Sequence, residues 1–213
     1  MIKVENIETW GFEHAIRGMR NPLNSWSRSD SSFGYEAYSG EFVPDLKIGE
    51  NDLKLMRQLY VGGQPHRKYL RQIFAVMDIT APLYWWKEFD TYKVGTTANS
   101  CSTMHKIAAK EFSIEDFSDE HLETGWLACL DDTIIPLLNR ARTKFIATKD
   151  KRYWWQMIQL LPSSYNQRRT VSMTYENVMN ILDYREGHKL DEWREFCKIL
   201  KQLPYVEVIR NGR

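Results

Sequence analysis

The order of apolar and polar positions divides the chain into two kinds of segment. "IKVENIETW" (2–10) alternates weakly and reads as a strand. "RQIFAVMDIT" (71–80) carries an apolar run from Ile73 to Met77, and "RRTVSMT" (168–174) is strand-like as well. Elsewhere the spacing is helical. It covers 12–20 up to a stop at Pro22, and 50–61 up to Gly62 and Gly63. It also covers 119–146, where Leu122, Trp126, Cys129 or Leu130, and Ile134 recur, and "DKRYWWQMIQLLP" up to Pro162. Thr174 caps "YENVMNILDYR", and a last amphipathic helix aligns Leu190, Trp193, Phe196, Cys197 and Leu200.

Between these segments, Ala81-Pro82 opens a short helix with Pro in its first turn. "TYKVGTTANS" (91–100) then reads as extended chain. Residues 24–47 are rich in Ser and Gly and read as a long surface loop. The sum is an α+β fold, a central sheet flanked by helices, in one domain spanning 1–213.

Composition narrows the class. The 213 residues are 43% hydrophobic and 27% charged, as in an ordinary globular domain. The net charge of +1 encodes no overall attraction to nucleic acid or to an anionic membrane. No apolar run approaches the roughly 20 residues that span a bilayer. "MIKVENIETW" does not read as a signal peptide. Three scattered cysteines, Cys101, Cys129 and Cys197, suggest a reducing compartment, hence a cytoplasmic location.

Eight tryptophans include two adjacent pairs, Trp85-Trp86 and Trp154-Trp155. Helical neighbours point about 100° apart, so one member of each pair is expected at a pocket or subunit interface.

No phosphate-cradling glycine loop and no serine elbow occur, and the five histidines lack metal-ligand spacing. Arg168 and Arg169 open a strand, and Arg185 ends the following helix. Their planar forks suit a phosphate or a carbonyl edge, but spacing alone favours a solvated basic rim, with Arg185 well placed near a helix C-terminus.

Two longer stretches carry a resemblance. "QIFAVMDITAPLYWWKEFDTYKVGTTANSCS" resembles the first conserved block of flavin-dependent thymidylate synthases: a strand, Ala-Pro, a short helix, Arg-His-Arg, seven residues and Ser. Ala81 and Pro82 match. Thr91, Tyr92 and Lys93 stand at Arg-His-Arg, and Cys101 stands at the Ser. "LLPSSYNQRRTVSMTYENVMNILDYREGHKLDEWREF" resembles the second block through Leu161, Pro162, Arg168, Asn180, Arg185 and Trp193. "AIRGM" is similar to an Ala-Ala-Arg segment of the family and makes Arg17 a further candidate.

The resemblance implies a homotetramer that uses FAD, methylenetetrahydrofolate and NADPH to add a one-carbon unit to C5 of dUMP. It implies a pyrimidine nucleotide held by Arg168, Arg185, Lys93 and Glu88, with Arg185 stabilising charge on the ring. It places His66, Asn180 and Tyr92 on the flavin side. Cys101 is either a new nucleophile or a small buried filler.

The departures act in a definite direction. Lys93 is a point charge without the bidentate fork. Thr103 stands where a further arginine grips phosphate in the family, and Thr174 and Glu176 replace an Asn and an Arg of the flavin side. Each lost arginine removes roughly 1.5–3 kcal/mol of charged hydrogen bonding. Flavin binding is weakened more than nucleotide binding. Two readings follow: an active thymidylate synthase-like methyltransferase, or a silent homologue serving as a nucleotide-binding or protein-interaction module.

Overall fold

The computed structural model of the protein describes residues 2–38 and 41–211, with side chains described outside 35–44. The frame is a four-stranded antiparallel sheet. Its strands are β1 (Lys3–Trp10), β4 (Phe74–Pro82), β6 (Asn166–Thr174) and β5 (Thr96–Ser100), in that spatial order. Strict alternation in β4 buries Ala75, Met77, Ile79 and Ala81 completely. Val76, Asp78 and Thr80 are half-buried on the other side. The register pairs Ile79 with Arg169 and Thr80 with Arg168. Directly opposed residues share a face, so the two adjacent arginines point to opposite sides of the sheet.

Helices cover one face only. They are α1 (Phe12–Arg20), α2 (Glu50–Val61), α3 (Leu83–Phe89), α7 (Tyr175–Arg185), α8 (Asp191–Lys201) and α9 (Val206–Arg210). Their buried side chains form one continuous core with the covered face, including Met56, Tyr60, Trp85, Trp86, Trp193 and Phe196. Each such large apolar side chain contributes about 1.5–3 kcal/mol by leaving water. A second, smaller core gathers Ile107, Phe112, Phe117, Leu130, Leu138 and Met157. It lies under α5 (Ile135–Thr148) and α6 (Lys151–Leu160), while α4 (Thr124–Cys129), which leads into them, buries no residue.

Several expectations change. Residues 24–47 are not one loop: β2 (Ser32–Tyr38) and β3 (Glu41–Lys47) pair as an antiparallel hairpin. The helix expected from 119 starts at Thr124 and widens into a π-type turn at Leu130–Ile134, just before Pro136, which has no N–H to donate. Its apolar stripe is largely outside: Trp126 is 68% exposed while Leu130 is buried. Pro82 ends β4 and caps α3 rather than entering its first turn.

The last helix read from the sequence is α8, and it is followed by α9, held by buried Val206 and Ile209. Both Trp85 and Trp86 are fully buried, because α3 is sandwiched. The Trp86 indole donates to Gln167 O on β6 (2.9 Å), and Trp85 packs on Trp193 (4.7 Å) and Phe196 of α8. In the second pair, Trp154 packs on the smaller core while Trp155 is 43% exposed.

Thr174 caps α7 by accepting from the Asn177 N–H. Its own N–H donates to Gly95 O (2.9 Å). Gly95 has φ +73°, and a Cβ there would lie 2.9 Å from Thr174 Oγ1. Glycine is therefore required on two grounds, backbone conformation and space.

Candidate functional site

Some of the candidate residues gather into two clusters on opposite faces of the sheet. On the open face, Arg168 Nη2 donates to Asp78 Oδ2 (2.7 Å), and Glu5 lies 3.7 Å from Nη1. Thr170 donates to Asp78 Oδ1 (2.6 Å). A register shift in β1 between Glu5 and Glu8 puts Asn6 at φ +52°, and its amide donates to Asp78 (2.8 Å). Hydrogen bonds from Thr170, Arg168 and Asn6 hold the Asp78 carboxyl far below the usual range. The same Asp78 keeps Arg168 firmly protonated.

Arg168 also reaches a cavity of about 300 Å³ lined by Thr80, Cys101, Ser102, Lys106 and Tyr165. Cys101 is exposed, so the buried-filler alternative does not describe it. Its N–H donates to Arg168 O (2.9 Å), and its carbonyl accepts from Gln167 (2.7 Å). Lys106 went unnoticed in the sequence. Its signal was the spacing Ser102, Lys106, Lys110 along one turn-rich segment. Lys110 is itself paired with Asp116.

On the covered side, Arg185 ends α7 and lies over the Trp193 ring, 4.9 Å from its centroid. Its Nη1 donates to Glu88 Oε2 (2.9 Å) and its Nε to Tyr92 Oη (3.0 Å). The Trp193 indole donates to the same Glu88 oxygen (3.0 Å), and His188 Nε2 is 3.4 Å away. Three sequence candidates, Arg185, Glu88 and Tyr92, are thus brought together. His188 completes the cluster and was not foreseen. Arg169 stands apart on this side, bonded to Asp90 (2.6 Å) over the Trp86 ring.

Arg168 and Arg185 therefore do not converge within one chain. The strand register sends Arg168 to the open face, while Arg185 packs with α3 and α8. The other candidates join neither cluster. His66 is exposed after α2, and Asn180 is half-buried on α7. Lys93 is exposed and, with Tyr92 and Asp90, lines a separate cavity of about 280 Å³. Arg17 is exposed on α1.

The flavin-side positions do not fit FAD as they stand in one chain. The Tyr92 hydroxyl is engaged by Arg185, and Thr174 caps a helix. Glu176, an anion, is bound in a fork by Arg71 (2.6 and 3.0 Å). Among the described residues no group of three or more His, Cys, Asp or Glu is arranged to hold a metal ion, and no helix is long and apolar enough to cross a membrane.

No family model and no curated protein matches the chain. Solved structures do. A flavin-dependent thymidylate synthase ThyX from Helicobacter pylori, complexed with FAD and dUMP, has a TM-score of 0.67 at 16% identity, covering 99% of each chain. A second structure of Thymidylate Synthase X from that organism, with FAD and dUMP, has a TM-score of 0.68 at 16% identity, covering 100% of this chain and 99% of the other. Along its whole length, the chain has a fold like that of the flavin-dependent thymidylate synthases.

Proposed function

We propose that the protein binds a pyrimidine nucleoside monophosphate, dUMP or a close analogue, on this thymidylate synthase-like scaffold. The supporting observation is the single cavity that joins Arg168, Lys106 and Cys101 to the Tyr165 ring. Arg168 and Lys106 supply charge for the phosphate, Ser102 supplies a hydroxyl, and Tyr165 and Phe112 supply aromatic surface for the base. Asp78 competes for Arg168, so the phosphate must displace that carboxylate or share the guanidinium with it. The protein acts in this reading as a binding module, and no chemical step is assigned to it.

Titration calorimetry with dUMP tests the proposal. Wild type takes up the nucleotide, and Arg168→Ala and Lys106→Ala each weaken it about tenfold or more. Absence of binding to the wild type overturns it.

A second reading has its own support in the full-length likeness to proteins solved with FAD and dUMP. In it, the chain transfers a one-carbon unit to C5, using FAD with methylenetetrahydrofolate and NADPH, and several copies assemble so that Arg185 of one copy meets the nucleotide of another. A flavin absorption band that persists after removal of free FAD, together with dTMP formation, would establish this reading in place of the first.

A further inference from the structure

A different part of the molecule has the chemistry of an anion site. The turns after α1 meet α2 around a buried ion pair, in which Arg20 Nε donates to Asp52 Oδ1 (2.6 Å). Arg20 is 3% exposed and Asp52 fully buried. The carboxylate is saturated. Its Oδ2 accepts from Ser29 Oγ (2.7 Å), Ser31 Oγ (2.7 Å), and the N–H groups of Asp30 (3.1 Å) and Ser31 (3.2 Å). Burial alone would raise its pKa, but these donors and Arg20 outweigh burial and keep it low.

Arg20 is only partly satisfied. Its Nη1 reaches Ser25, through the carbonyl (3.2 Å) and Oγ (3.4 Å). Its Nη2 is buried and has no hydrogen-bond partner. A buried guanidinium N–H without an acceptor is costly and uncommon in native proteins.

Arg20 lines a cavity of about 270 Å³ with Arg28, Lys54, Ser25 and Asn51. Among the described residues, neither Arg28 nor Lys54 has an acidic partner. Asp52 shows no surface to the cavity, and Asp30 is turned onto the N–H groups of Asn51 (2.9 Å) and Asp52 (3.1 Å). The cavity thus presents three cations, the amides of Asn51 and Gln58 and a hydroxyl, with no carboxylate among its lining residues. Leu23 and Leu55 add an apolar wall. Its volume exceeds that of one tetrahedral oxyanion, which leaves room for an organic body beside it.

We propose that this cavity binds the phosphoryl group of a small phosphate ester, gripped by Arg28 and Lys54 over the buried charge of Arg20, with the ester's organic part against Leu23 and Leu55. The pocket is separate from the Arg168 cavity and stands whether or not that cavity binds a nucleotide.

The test uses the full chain, with inorganic phosphate, ribose 5-phosphate and ribose as probes at constant ionic strength. Titration calorimetry measures wild type, Arg28→Ala, Lys54→Ala and Arg168→Ala. Arg28 and Lys54 are exposed and unpaired, so their alanine variants keep the fold, which circular dichroism checks. Ribose 5-phosphate is expected to bind more tightly than inorganic phosphate, and ribose not at all. Arg28→Ala and Lys54→Ala should each weaken both phosphates about tenfold, and should do so equally in an Arg168→Ala background, where the other cavity has lost its arginine. No phosphate binding, or binding untouched by Arg28→Ala and Lys54→Ala, overturns the proposal. Equal affinity for the ester and inorganic phosphate overturns its organic part. Loss in Arg168→Ala alone assigns the signal to the other cavity and overturns it as well.

Discussion

The two faces of the central sheet hold the same kind of contact, an arginine on a carboxylate, in different company. Arg168 and Asp78 meet on the open face, where the arginine side chain is 47% exposed and its neighbours are Thr170, Asn6 and Glu5. Arg185 and Glu88 meet beside the aromatic core, with the guanidinium over the Trp193 ring. Solvent screens the first pair, and packing orients the second. An exposed arginine can exchange its partner for a ligand at small cost. An arginine stacked on an indole and bonded to both a carboxylate and a phenol is a structural member first.

This contrast can be broken experimentally, beginning with the largest effect. Trp193→Ala removes a fully buried indole from the Arg185 cluster and is expected to cost about 3–5 kcal/mol in urea unfolding. A loss under about 1 kcal/mol would mean the covered cluster is not packed as described. Glu88→Ala leaves Arg185 and the Trp193 N–H without their shared acceptor, and should cost about 1.5–3 kcal/mol in the same assay.

Arg168→Ala should change stability by less than about 1 kcal/mol, while weakening dUMP in calorimetry. A large stability loss there would erase the distinction between the faces. The smallest effect is in acid. Asp78 has its pKa depressed below the ordinary 3.8, so its favourable contacts are complete above that value and are lost as pH falls through the lower folded value. Carboxyl NMR titration should therefore give a midpoint below 3.8, raised by Thr170→Val and by Arg168→Ala. A midpoint at or above 3.8 in the wild type contradicts the open-face network.

The frame was readable where periodicity is strong. The apolar run in 71–80 and the strand-like 168–174 marked β4 and β6, and the stripe from Leu190 to Leu200 marked α8. Thr174 was legible as a cap because a short hydroxyl ahead of an apolar helix has one obvious use. The hairpin at 32–47 was hidden by its Ser and Gly content, and Pro44 within β3 weakens any strand signal.

The site was harder to read, for a geometric reason. Arg168 and Arg169 differ by one position, and in a strand one position is the difference between solvent and core. Spacing along the chain placed Arg168 in the right strand, but only the register with β4 fixes its face. The Glu88 hub depends on three elements distant in sequence, and Lys106 sits in a stretch with no regular period.

The turn at Gly95 ties two distant parts of the molecule into one lever. Its carbonyl holds the Thr174 N–H, and Asn177 reaches back to the Val94 carbonyl and the Thr96 hydroxyl. The first turn of α7 is thereby pinned to the segment that follows Tyr92 and Lys93. Tyr92 also grasps Arg185 at the far end of the same helix. A push on residues 93–96 cannot be absorbed locally by a slack loop. The two ends of α7 are clamped to neighbouring parts of one peptide stretch, residues 92–96.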